Sequence, residues 1–125
     1  MSMILEDRVV VRNIKSSLIP KILIIDLEGA RSSVSMDLHK EVFTVREGEE
    51  LELVIGKELP EHREGVDFCA RGMVAGLKKD DKGDRVVISL WGFLVILRPK
   101  ENSVLERFSP TQEIYMCLRR VSDKQ

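Results

Sequence analysis

Few residue types in this sequence are arranged for catalysis. The two histidines, His39 and His62, lie beside no serine or cysteine nucleophile in a recognised motif. Two acidic pairs fall in or beside predicted turns, where a carboxylate is solvated and seldom catalytic: Glu49-Glu50 and Asp80-Asp81. We therefore expect a protein that is not an enzyme.

The cysteines and glycines point to no bound group. Cys69 and Cys117 stand far apart and no CxxC pair is present, which excludes a zinc site of the usual spacing. We interpret the cysteines as two small buried thiols, with a disulfide between neighbouring strands as the open alternative. Gly72 and Gly76 lie within a predicted strand, so they do not form a phosphate-binding loop. We expect no metal and no cofactor.

Two basic pairs are candidates for contact with nucleic acid: Lys78-Lys79 and Arg119-Arg120. The alternative is that each pair is a solvated turn or strand end. A single-strand binder needs stacking aromatics along a basic groove, but aromatics are 5% of this chain and the net charge is −1. These values argue against a protein whose main task is binding phosphates. We therefore rank weak nucleic-acid binding second, behind protein binding.

The stretch Arg85–Pro99 is the most apolar part of the chain and predicts a buried β element. With a period of two, its side chains divide into two apolar faces: Val86, Ile88, Leu90 and Leu94 on one, and Val87, Trp91, Phe93, Val95 and Leu97 on the other. A half-solvated strand has one polar face. Both faces therefore need cover, and a partner protein could supply it for one.

Trp91, Gly92 and Phe93 are our candidate partner contacts, with Arg98 at the rim. Aromatic residues and arginine are enriched at the centres of protein interfaces. Gly92 predicts a bend, a bulge or a close backbone approach beside the only tryptophan. The alternative is that Trp91 and Phe93 belong only to the core of the monomer.

The rest of the chain predicts short strands and no helix. With the stretch 85–99, the predicted strands are 4–14, 21–27, 32–38, 41–45, 50–55, 68–77 and 113–121. A polar turn at 78–84 closes a hairpin, 57–67 and 100–112 are loops, and 122–125 is a frayed tail. About eight strands at this spacing predict an all-β barrel or sandwich in one domain, 1–125.

Composition also indicates the type of source organism and the cellular location of the protein. Charged residues make up 33% of the chain while Asn and Gln are scarce, as in hyperthermophile proteins. Charges at Glu6, Asp7 and Arg8 leave no signal-peptide core. The apolar run is shorter than the roughly 20 residues that span a bilayer. We expect a cytoplasmic protein with no membrane contact.

Several segments, taken in order, resemble the eighth-subunit family of archaeal and eukaryotic nuclear RNA polymerases. They are ILED at 4–7, MDLHKEVFTVREGEELELVIGKEL at 36–59, SLWGFL at 89–94 with Leu97, and IYMCLRRV at 114–121. Eukaryotic members have a longer acidic insertion at 59–67 and an arginine where Ile96 stands. Trp91 replaces one of two paired glycines, so the chain resembles a compact archaeal version.

The resemblance implies an eight-stranded antiparallel barrel that contains an oligonucleotide/oligosaccharide-binding (OB) fold. It implies a non-catalytic subunit of DNA-directed RNA polymerase that docks on the largest subunit, away from the catalytic magnesium, and stabilises it. The alternative function is an independent OB-fold protein that binds single-stranded nucleic acid through Lys78, Lys79, Arg119 and Arg120.

Overall fold

The computed structural model describes residues 3–121, so the predicted tail at 122–125 lies outside the described residues. It contains eight strands and one short helix. In chain order they are β1 (Met3–Ser16), β2 (Ile22–Gly29), β3 (Ser32–His39), β4 (Glu50–Gly56), β5 (Phe68–Asp80), β6 (Gly83–Leu90), β7 (Phe93–Pro99), α1 (Asn102–Leu105) and β8 (Glu113–Arg120).

The eight strands close into one antiparallel barrel in the order β1-β2-β3-β7-β6-β5-β8-β4. The first strand completes the ring, because β1 pairs with β2 on one side and with β4 on the other. Its register with β2 shifts between Val11 and Asn13, as at a β-bulge, which bends a strand and increases its twist. The prediction of an all-β barrel with about eight strands is confirmed, and the OB-fold assignment is consistent with it.

The core fills the inside of the barrel with alternate residues from every strand. In β3, for example, Val34, Met36 and Leu38 are buried while the residues between them are only partly covered. Val104 of α1 and Phe108 just after it are also buried in the same cluster. In β3 the period-two pattern therefore predicted both the strand and the direction of its side chains.

The predicted strand at 41–45 is wrong. This segment has no ladder partner, and its first two residues belong to a turn that begins at Lys40. Phe43 and Val45 are nevertheless buried against the barrel core. Their alternation with exposed residues comes from covering the core with irregular backbone, which period-two reasoning cannot distinguish from a strand.

The predicted single element at Arg85–Pro99 is two strands, β6 and β7, joined by the two-residue turn Trp91-Gly92. The turn pairs Leu90 with Phe93, so the side-chain phase reverses between the strands. Val95 and Leu97 therefore share the inner face with β6 residues, contrary to prediction, and Leu94 lies outside. The bend predicted at Gly92 is confirmed.

Cys69 and Cys117 form a disulfide, so the preferred interpretation as two separate thiols was wrong. The two residues are direct partners in the β5–β8 ladder. Intracellular proteins of hyperthermophilic archaea are an exception to the rule that disulfides are rare inside cells. The bond joins strands that are 48 residues apart in the sequence.

A buried carboxylate fixes the connection between β2 and β3. Asp7 Oδ2 accepts hydrogen bonds from the Ser32 hydroxyl at 2.7 Å and from the Arg31 N–H at 3.1 Å. A side chain at Gly29 would enter the same space, because its Cβ would overlap that oxygen and lie 2.7 Å from the Arg8 carbonyl oxygen. The close approach of β1 to this connection therefore requires glycine.

Gly29→Ala is expected to lower the free energy of unfolding by about 2 kcal/mol, because both atoms that its Cβ would meet are held in place. Gly76→Ala is the matched control, since the nearest atom to its Cβ would be 4.0 Å away, at the end of the Lys78 side chain. Urea denaturation of both variants measures the difference. Equal stability of the two variants would contradict the role given to Asp7.

Candidate protein-docking surface

The outer face of β5, β6 and β7 has an uncharged region two cross-strand rows deep. One row joins Met73, Ser89 and Leu94, and the adjacent row contains Gly76, Val87 and Ile96. With the turn residue Trp91, these six form a surface that we call the outer patch. The exposed face of an antiparallel sheet is normally polar, so this patch is unusual for a surface that faces only water.

Three large apolar side chains of the outer patch are exposed: Trp91 at 84%, Leu94 at 47% and Met73 at 43% of their surface. A groove of about 350 Å³ lies beside Trp91 and Met73. Clustered apolar exposure of this kind marks binding surfaces more often than scattered single residues do.

The backbone holds Trp91 in an unfavourable conformation. Its φ is +57° and that of Gly92 is +96°. A two-residue hairpin with positive φ at both positions favours Asn-Gly, and a bulky residue at the first position is strained. Strain of this kind is found where function needs a particular side chain. Here it presents an indole ring to solvent.

The four predicted contact residues do not form one cluster. Trp91 and Gly92 occupy the exposed turn, but the side chain of Phe93 packs against the barrel core. Arg98 lies at the other end of β7, where it donates two hydrogen bonds to Asp80, at 3.0 and 2.7 Å.

Met73 and Leu94 were not among the predicted contacts. The sequence pattern placed Leu94 on the inner face because it treated β6 and β7 as one strand. Interpreting Trp91-Gly92 as a two-residue hairpin turn would have placed it outside. No sequence pattern identified Met73. It joins Leu94 in one cross-strand row only when β5, β6 and β7 have paired.

The charged end of the same wall begins one row beyond the patch, at Lys78, Arg85 and Arg98. Asp80 lies between the two arginines, 2.7 Å from Arg98 and 3.4 Å from Arg85. The hydrogen bonds from Arg98, together with one from the Lys82 N–H, lower the pKa of Asp80 from 3.8 to about 2. One carboxylate thus serves two guanidinium groups.

The predicted nucleic-acid contacts are separated in the structure. Lys78 and Lys79 lie near the end of β5, whereas Leu118 of β8 pairs with Phe68 at its beginning. About ten strand residues separate these positions along β5, or roughly 30 Å. The two basic pairs therefore do not line one groove.

Arg119 and Arg120 are also committed to contacts within the chain. Arg119 pairs with Glu6 and Glu52 and donates to the Glu61 carbonyl oxygen. Arg120 pairs with Glu49 at 2.7 Å and stacks 4.3 Å from the centre of the Phe43 ring. These contacts attach loop segments to β8, so both arginines have a structural role.

The opposite wall, formed by β1, β4 and β8, is ionic. A chain of alternating charges runs across it, with Arg8 between Glu50 and Glu52, and Arg119 between Glu52 and Glu6. Such networks are typical of proteins from hot environments. The barrel therefore has one ionic wall and one wall with an uncharged patch.

Two further features concern cofactors and membranes. Within residues 3–121, no three His, Cys, Asp or Glu side chains are grouped so that they could hold a metal ion. In the same part of the chain, no α-helix has the length and apolar character needed to traverse a bilayer.

The shared carboxylate predicts a pH dependence of stability. Because the pKa of Asp80 is lower in the folded chain, the unfolded chain binds more protons between about pH 4 and pH 2. The contribution of Asp80 is therefore complete above about pH 4 and is lost as the pH falls towards 2. Asp80→Asn should remove this part of the acid sensitivity in denaturation curves, whereas Asp81→Asn, at an exposed neighbour, should retain it.

The strained turn predicts a stabilising substitution. Trp91→Asn should raise the free energy of unfolding of the isolated chain by about 1 kcal/mol, because Asn tolerates positive φ. Gly92→Ala should lower it, since φ is +96° there. Chemical denaturation measures both. A less stable Trp91→Asn variant would show that the indole supports the fold of the monomer.

Comparison with known proteins identifies the family. The family model for the G subunit of DNA-directed RNA polymerase (RpbG) matches residues 4–121. The DNA-directed RNA polymerase subunit Rpo8 of Sulfolobus acidocaldarius is 28% identical over 89 residues, which are 70% of this chain and 73% of that protein.

Among solved structures, the molybdate-bound cytoplasmic protein ModG matches 92% of this chain and 89% of its own chain, at 12% sequence identity. Its TM-score of 0.34 is too low to equate the two folds. The match to the family model covers nearly the whole described chain. The chain belongs to the RpbG family, the G subunits of DNA-directed RNA polymerase.

Proposed function

We propose that this chain is a non-catalytic polymerase subunit that docks on the largest subunit through the outer patch. In this role it stabilises the largest subunit during assembly and transcription in the cytoplasm. The family supports membership of the polymerase. The choice of surface rests on the residues of the barrel itself.

The main support for the proposed surface is Trp91. It is the most exposed residue of the outer patch, and the turn holds it at positive φ although Asn or Gly would be less strained. Tryptophan is enriched among the few interface residues that dominate binding energy. A strained and solvated tryptophan has no benefit for the monomer, whereas an interface anchor would explain both properties.

The closed barrel supports docking through side chains. Each described strand pairs with a neighbour on both sides over at least part of its length, so no strand stands at the open edge of a sheet. The ionic wall is a poor alternative, because its charges already satisfy one another. Removing water from the uncharged outer patch costs less free energy than removing it from the ionic wall.

Nucleic-acid binding by the isolated barrel remains the second candidate, but it has less support. Arg119 and Arg120 are paired within the chain, and the lysines at the end of β5 lie far from them. We therefore assign no nucleic-acid site to these four residues.

Trp91→Ala should weaken binding to the largest subunit by about 2 kcal/mol, or roughly 30-fold in Kd, because a buried indole contact is lost. Leu59→Ala is the control, since Leu59 is a large exposed apolar residue outside the patch. Calorimetry with purified largest subunit measures binding, and circular dichroism monitors the fold. An equal effect of the two variants would contradict the proposed surface.

A further inference from the structure

A second feature of the docking wall is a groove of about 580 Å³ that begins where the outer patch ends. It runs along the outer faces of β2, β3, β7 and β6 and reaches the end of β1 at Lys15, and Ile96 of the outer patch is part of its lining. Four of its lining side chains are cationic: Lys15, Lys82, Arg85 and Arg98. The groove and the outer patch are therefore continuous.

Of the two carboxylates that line the groove, only Glu28 is paired with a cation, and that cation lies outside the lining. Asp26 accepts a hydrogen bond from the Asn13 amide at 3.3 Å. Glu28 accepts hydrogen bonds from Lys100 and from the Ser33 hydroxyl, and these bonds lower its pKa below 4.5. Neither carboxylate forms an ion pair with the four cations of the groove.

The cations, by contrast, are incompletely neutralised. Arg85 and Arg98 share the single carboxylate of Asp80. Lys15 and Lys82 are exposed, and neither forms an ion pair with another residue in the described range 3–121. Against these four cations stand the carboxylates of Asp26 and Asp80, since Glu28 is paired with Lys100, so the groove has a positive excess in a chain whose net charge is −1.

We infer that this groove receives one or more carboxylate side chains of the partner segment that covers the outer patch. The inference rests on the proposed docking and adds the chemistry of the partner to it. The docked segment thus combines apolar side chains, which contact Trp91, Leu94 and Met73, with Asp or Glu at one end. Charge complementarity of this kind fixes orientation and accelerates association.

The spacing of the two parts restricts the partner segment. Leu94 and Arg98 are four residues apart on β7, which corresponds to about 13 Å along a strand. The partner's carboxylate lies at a similar distance from its apolar anchor. In a helix that distance is about nine residues, and in an extended segment it is about four.

Carboxylates of a protein fit the groove better than the phosphates of a nucleic acid. No aromatic side chain is among the residues that line it in the described chain, so bases would have no surface for stacking. The two rows next to it are uncharged, whereas a phosphate backbone needs a longer cationic track.

Charge reversal of the two unpaired lysines tests the inference. In binding kinetics with purified largest subunit at low salt, Lys15→Glu/Lys82→Glu should reduce the association rate about tenfold, and high salt should shrink the difference. The control variant, Arg46→Glu/Lys57→Glu, changes the net charge equally at exposed sites outside the groove. It should change the rate less than about twofold.

Carbodiimide cross-linking of the assembled complex identifies the groups directly, because the reagent activates a carboxylate and an adjacent lysine amine then displaces the urea to form an amide bond. Peptide mass spectrometry should find Lys15 or Lys82 linked to Asp or Glu of the largest subunit. A complex in which other lysines of the chain form such links, but these two do not, would overturn the inference.

The outcomes separate the two proposals. If Trp91→Ala weakens docking while the groove variant matches its control, the groove inference fails and the docking surface stands. If neither Trp91→Ala nor the groove variant weakens docking, both proposals fail. If the wild-type chain binds a single-stranded oligonucleotide, and the groove variant loses that binding but still docks normally, the groove takes phosphates instead.

Discussion

Closure of the barrel is the constraint on which the other properties of this chain depend. Because β1 pairs with both β2 and β4, the sheet closes on itself and each described strand has a paired neighbour on both sides along at least part of its length. The interior is filled by side chains of the chain itself. Recognition is left to the outer walls and the connecting turns, and the two opposite walls differ in character. One has an ionic network and the other has an uncharged patch with an exposed tryptophan.

The sequence predicted the parts of the fold that depend on local pattern. Alternation located β3, β4 and β8 within one or two residues, and Gly83 marked the β5–β6 hairpin. It failed where alternation has another cause or is interrupted. Phe43 and Val45 alternate because they cover the core. Trp91-Gly92 reverses the side-chain phase at a two-residue turn, and a tryptophan at its first position does not predict positive φ.

Features that depend on distant residues were beyond the reach of sequence patterns. The disulfide needs β5 and β8 to be neighbours in a specific register, which the spacing of two cysteines does not encode. Only Trp91 of the outer patch was among the predicted contacts, because the other members of the patch meet across three strands. Arg119 and Arg120 resemble an exposed basic pair in the sequence, yet their partners are distant along the chain: Arg119 pairs with Glu6, and Arg120 donates to the Thr44 carbonyl oxygen. The family resemblance supplied the function that the residue patterns could not.

The place of β8 between β4 and β5 also determines the order in which this protein can be built. During synthesis, strands β1 to β4 leave the ribosome first and can form hairpins, but β4 and β5 each lack a neighbour until β8 emerges. The nascent barrel is therefore an open sheet with two unprotected edges, and pairing across such long sequence separations is slow. The nascent chain should therefore depend most on chaperones before β8 has been synthesised.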